Sequence, residues 1–180
     1  MKTHHKSLFI ILLCLTFFTS RLFAIGAGIQ AGIIPGFLID EKQSSPNGFT
    51  GNITGTLSLF RFPLTAGSGL VFGKSASVSN FGFSAFADYR FLDLQLHKNW
   101  LFYSGFGASA KILTSDFSAW QLTAGARFFL GVKTTIYDGF LELYSQQNLV
   151  PTYVKNLNDS AAKADFMLCL PLEAGIRMHF

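Results

Sequence analysis

Charge is scarce in this sequence. Only 13% of its 180 residues are Asp, Glu, Lys or Arg, against roughly 25% in ordinary soluble domains. A surface meeting water on every side is therefore a poor fit to this composition. Cysteine is nearly missing, with Cys14 and Cys169 alone. Two thiols exclude a disulfide framework and any cysteine-built metal cluster, so neither metal nor cofactor is expected. Long hydrophobic runs are missing too. Although 49% of the residues are hydrophobic, nothing beyond the N-terminus approaches the ~20 apolar residues of a spanning helix.

One continuous apolar run exists, at the start. Lys2 and Lys6 precede Leu8 to Phe18, and small residues follow up to Ala24. That is the layout of a cleaved secretory signal over residues 1–24, with Ser20 as the alternative cleavage point. Leu12 and Leu13 before Cys14 depart from the small residues of a lipoprotein signal. Cleavage takes three of the 14 basic residues, leaving 11 against 10 acidic ones. The basic balance of the whole chain is then mostly a targeting feature, and nothing suggests nucleic acid. Cys169 would remain as the single thiol.

What is abundant is alternation. The chain carries 21 Phe and 17 Gly, and eight runs place apolar residues at every second position. Ile25 to Ile33, Ile53 to Leu59 and Leu64 to Phe72 come first. Phe81 to Phe91 follows, with Asp88 and Arg90 on its polar face. Trp100 to Ile112 has Lys111 on the polar face, and Trp120 to Leu130 has Arg127 there. A short seventh run sets Leu141 and Leu143 against Glu142 and Tyr144. In the last, Phe166 to Phe180, the polar face holds Glu173, Gly175, Arg177 and His179.

No charge falls on the apolar face of any run, and the first three runs carry no charge at all. A water-soluble ligand-carrying barrel needs charged outward positions, so the apolar face is expected to meet lipid. Unpaired strand edges are costly in hydrocarbon, which calls for a closed sheet. The expectation is thus an all-β, eight-stranded antiparallel transmembrane barrel over residues 25–180, closed, with both termini periplasmic.

Connections near 34–49, 74–80, 113–118 and 147–164 then lie outside, the first and last being the longest. Those near 60–63, 92–99 and 132–138 are the periplasmic turns. The Asp138-Gly139 pair is a hairpin signal that places the third turn slightly later. Phe72, Phe81, Trp120 and Phe166 form one aromatic girdle. Tyr89, Phe91 and Trp100 belong to the other. Pro171, inside the closing strand, cannot donate to the ladder and asks for a bulge or a water-satisfied neighbour.

The polar-face charges Asp88, Arg90, Lys111, Arg127, Glu142, Glu173 and Arg177 would share one narrow lumen. Confined charges are costly unless paired, so a mixed ion-pair network plugging the barrel is expected. A catalytic reading requires Ser, His and an acid together. Ser145 near Glu142 lacks its histidine in sequence, and the remaining His97 and His179 belong to the periplasmic end. No enzyme is expected.

The final residues, Pro171 to Phe180, alternate apolar positions and end in Phe. In this the chain resembles the small eight-stranded outer-membrane barrels: the OmpA transmembrane domain, OmpX-like and opacity proteins. The resemblance implies that Ala174, Ile176, Met178 and Phe180 form an assembly signal read by the barrel-assembly machinery. It also implies a monomer in the outer membrane, with the bilayer as its main partner and any extracellular ligand unspecified. Non-enzymatic membrane support or binding by the surface loops is the first functional expectation. A conduit for small hydrophobic molecules, resembling OmpW-like proteins, is the alternative.

Overall fold

The computed structural model describes residues 25–38, 46–59, 62–75, 78–117, 119–158 and 164–180. The signal segment 1–24 and the connection 39–45 lie outside the described residues. The chain forms β1 (Ile25–Leu38), β2 (Pro46–Leu59), β3 (Leu64–Ser75), β4 (Val78–His97), β5 (Trp100–Thr114), β6 (Trp120–Ile136) and β7 (Leu141–Asn156). Two collinear segments, β8 (Asp165–Cys169) and β9 (Leu172–His179), complete it. Each strand pairs antiparallel with the next, and β1 closes on β8 and β9. With β8 and β9 as one stave, the fold is a closed eight-stranded antiparallel barrel.

Alternation decides what each stave shows to either side. In β1, Ile25, Ile29 and Ile33 point outward and are exposed, whereas Gln30 and Ile34 are buried in the lumen. In β6, Phe128 and Leu130 point out while Thr123, Arg127 and Phe129 point in. The molecule is inverted relative to a water-soluble domain. Its outer wall is apolar, and its fully buried side chains include Gln30, Asn148 and Glu173.

Several strands outrun the sequence-based boundaries. β7 continues to Asn156, so residues 147–156 belong to the wall and not to a long loop. Their inward positions are Gln146, Asn148, Val150, Thr152 and Val154, all buried. Alternation was present there, masked by polar residues that face a polar lumen. β1 and β2 likewise extend into the expected 34–49 connection. β4 runs to His97, leaving only Lys98 and Asn99 as its turn. The third hairpin turns at Tyr137–Phe140, later than 132–138, with Asp138 and Gly139 inside it. Gly139 has φ 91°, the left-handed conformation that glycine adopts without strain.

Pro171 is accommodated without a bulge. Val150 faces Cys169 and Gln147 faces Leu172, so the register against β7 is unbroken across the gap. The register against β1 is equally continuous, which sets Pro35 opposite Leu170. Asn148 N–H donates to the Pro171 carbonyl at 2.8 Å. In an antiparallel ladder the return bond would run from residue 171 to the Asn148 carbonyl, and proline cannot make it. Pro35 similarly withholds a donor from the Leu170 carbonyl. The Gln147 amide nitrogen lies 3.1 Å from the Leu170 carbonyl, 3.1 Å from the Pro171 carbonyl and 3.3 Å from the Asn148 carbonyl. One outward glutamine thus serves acceptors that two prolines leave bare.

A third proline stands beside them. The β6–β7 pairing lapses between Gly125–Thr152 and Phe128–Leu149, where Pro151 sits. Three adjacent staves therefore carry proline at neighbouring positions, and Gln147 is what compensates the seam. Gln147→Leu should lower barrel stability by about 0.5–1.5 kcal/mol, the net worth of a lost hydrogen bond. Adding Pro171→Ala should recover part of that loss by restoring one donor. Urea titrations read by migration on unheated SDS gels test this. Identical midpoints for wild type and Gln147→Leu would refute the compensation.

Candidate functional site

The lumen is where polar chemistry concentrates. β1, β4, β5, β6, β7 and β9 each send polar or ring side chains into the lumen. Gly131 and Gly175 leave space on neighbouring staves: a Cβ at either would run into the ring of Tyr103 or Tyr144. Small residues beside large inward rings let this narrow barrel hold aromatics and still close.

At the waist, Arg127 bridges two carboxylates. Its Nε is 2.9 Å from Asp88 Oδ1 and its Nη2 is 2.8 Å from Glu173 Oε2. The guanidinium plane lies over Phe86, 4.5 Å from the ring centroid. Asn148 completes the cluster, donating to Glu173 at 2.9 Å and accepting from Arg127 at 3.1 Å. Gln146 donates to Glu173 at 3.2 Å and accepts from Tyr103 at 3.1 Å. All of these side chains are buried. Burial removes the water that would screen each charge, so the shared hydrogen bonds are what make ionisation tolerable.

A second cluster lies nearer the termini, with the opposite balance. Glu142 takes Arg177 Nη1 at 2.6 Å and Lys133 Nζ at 2.9 Å, with His179 Nε2 at 3.5 Å. Arg177 also stacks 4.7 Å from the Tyr144 ring, whose hydroxyl donates to Gln30 at 2.9 Å. The waist thus sets two carboxylates around one cation. The lower cluster sets two cations and a histidine around one carboxylate.

Five of the seven sequence-derived charges, Asp88, Arg127, Glu142, Glu173 and Arg177, fall in these two clusters. Two do not. Arg90 pairs at 3.0 Å with Asp93 on its own strand and is partly exposed. Lys111 faces the lumen on the far side of the waist, and among the described residues no carboxylate lies within ion-pair distance of it. Lys133 was missed because the turn was placed over 132–138, whereas β6 continues to Ile136. Asn148 was missed because residues 147–164 read as loop. Period-two alternation was the available signal, through Gly131 and Lys133 in β6 and through Gln146 and Asn148 in β7.

The serine question is settled by parity. Ser145 lies at an outward position of β7, whereas Glu142 and His179 share the lumen. Ser58, the inward serine of that end, has an Oγ without a hydrogen-bond partner. Its hydroxyl is therefore not aligned with His179 as nucleophile to base.

On the outer wall the aromatics gather toward both ends. Phe72 faces Phe81 across β3 and β4, Trp120 stands opposite Thr114, and Phe166 opposite Tyr153, all away from the termini. Near the termini, Tyr89 lies 5.5 Å and Phe91 6.1 Å from Phe106, ring to ring, with Trp100 on the same hairpin. Of the seven, only Trp120 is half-buried; the others are exposed. Ala174, Ile176, Met178 and Phe180 also face outward, and the Phe180 ring meets Phe140 edge-on at 6.2 Å.

No family model and no curated protein matches the chain. Among solved structures, Neisserial surface protein A (NspA) has a TM-score of 0.59 at 16% identity, covering 87% of this chain and 97% of its own. Ail, the attachment invasion locus protein of Yersinia pestis, has a TM-score of 0.45 at 10% identity over 88% and 99%. A major outer membrane protein from Thermus thermophilus has 0.39 at 13% identity over 86% and 99%. The similarity to NspA is one of fold: a closed eight-stranded antiparallel barrel spanning nearly the whole of both chains.

The waist makes a direct prediction. Glu173→Gln keeps the Arg127–Asp88 pair but removes the charged acceptor that Arg127, Asn148 and Gln146 share, and should cost about 1–3 kcal/mol. Arg127→Met, which strands two carboxylates, should cost at least as much. Denaturant unfolding of the three proteins decides, and a Glu173→Gln barrel as stable as wild type would remove the cluster's structural role.

Proposed function

We propose that this protein is an integral outer-membrane barrel without catalytic activity, its lumen plugged by the two ion-pair clusters. Its termini face the periplasm, its far rim meets the exterior, and the far-rim loops support the membrane or engage a partner. The observation that carries this reading is the inversion of polarity. Ile29 is 60% exposed, Leu57 59% and Phe83 57%, on three different staves, while Glu173 is 2% exposed. A continuous apolar wall of that extent is far larger than the patches soluble monomers carry. Hydrocarbon is the solvent that matches it, and a closed ladder is the β architecture hydrocarbon allows.

Other features support the same assignment. The two aromatic zones sit where rings prefer the headgroup interface. The exposed C-terminal Phe180, in line with Met178, Ile176 and Ala174, supports recognition by the barrel-assembly machinery. The N-terminal segment supports export through a cleaved signal. The alternative, a conduit for small hydrophobic molecules, has less support, because a buried polar cluster spans the waist that such a molecule would have to pass.

Two measurements test the proposal. Epitope tags after Ser45 and after Asp159 should bind antibody on intact cells, whereas a tag after Lys98 should be reached only once cells are opened. Surface labelling of the Lys98 tag alone would invert the topology. In planar bilayers the purified protein should pass little current, since the clusters fill the lumen. Large, steady conductance from the wild-type protein would discard the plug.

A further inference from the structure

Between the waist and the rim remote from the termini, the lumen opens into a cavity of about 420 Å³. Its lining mixes polar side chains, among them Asn80, Gln121 and Thr123, with apolar ones. Ile34, Val154 and Cys169 are buried inward side chains there, joined by Leu113 and Met167. Ile34, Val150 and Cys169 form an apolar cluster with Met167 packed against it. Inward apolar residues at this level contribute nothing to the outer wall. At the base lies Lys111, flanked by Ser84 and Thr123 on the adjoining staves. Among the described residues its ammonium makes no hydrogen bond and no ion pair. The cavity's one acidic lining residue among those described, Asp165, is exposed at the start of β8.

We propose that this cavity is a binding site for a small monoanion with a compact apolar body, such as an aromatic or branched carboxylate. The anionic group pairs with Lys111 at the base, and the hydrocarbon body fills the space between Ile34, Leu113, Val154 and Met167. The volume suits one such molecule, since small-molecule sites run to about 300–1,000 Å³. A lysine that forms no ion pair in either cluster is the anchor this site requires. Occupation needs no passage through the waist, so binding and a plugged lumen are compatible.

The test uses the full-length folded protein in maltoside micelles, titrated calorimetrically with para-tert-butylbenzoate against protein-free micelles. The neutral para-tert-butylbenzamide keeps the shape and removes the charge. The carboxylate should bind saturably, one per barrel. The amide, and the carboxylate with Lys111→Met, should bind about tenfold more weakly or worse, as when a charge-assisted hydrogen bond is lost. Lys111→Arg should retain affinity. Val154→Phe, which occupies the cavity, should weaken the carboxylate as well. Migration on unheated SDS gels verifies each fold, with Lys111→Gln replacing the methionine variant should that one fail to fold. Unsaturable heats with the wild-type barrel would overturn the site. Equal affinity in Lys111→Met would overturn the anchor, and indifference to Val154→Phe would place binding elsewhere.

Discussion

The pairing of β1 with β9, Gly26 opposite His179 and Ile33 opposite Leu172, turns a curled sheet into a barrel. Without it, β1 and β9 would each present a row of bare peptide groups. In water that row is an aggregation hazard, and in hydrocarbon it is prohibitive. The seam beside this closure is also where the chain places three prolines, so the same constraint has to be met there by a side chain. Gln147 does so from the outer face, which accounts for an amide at that outward position.

Closure also confines what lies inside. Eight staves leave room for side chains and little else. Around the two clusters the lumen is packed accordingly, with Tyr103 and Tyr144 set against glycines of neighbouring staves and charges interleaved between the rings. Arg127 serves as the hub of the waist because its planar fork can meet Asp88 and Glu173 at once while stacking on Phe86. Lysine in its place would be a point charge with no ring-stacking face. The excess negative charge of the waist and the excess positive charge around Glu142 lie in series along the lumen.

Much of this was legible in the chain itself. Outward Ile29, Leu57, Phe83 and Phe128 all follow from alternation, because a strand's side-chain period is two. The inward parity of Asp88, Arg127, Glu142, Glu173 and Arg177 follows from the same rule. The reading failed where it equated polarity with loop. Gln146, Gln147 and Asn148 look like connection, yet Gln146 and Asn148 face a polar lumen, and Gln147 answers a backbone need created by residues far away in sequence. Lys133 was lost the same way, through a turn placed a few residues early.

Alternation in the sequence therefore determined the class of fold, the number of staves and which face of each would be apolar, since these depend on local period alone. Pairing within the lumen did not follow from it. Whether Arg127 meets Asp88, and whether Lys111 meets anything, depends on the register between staves and on the height at which each side chain enters the barrel. Those are properties of the closed wall. The seven lumen charges look equivalent along the chain. The tertiary structure divides them into a waist, a lower cluster, an Arg90 turned to its own strand and a Lys111 left alone above.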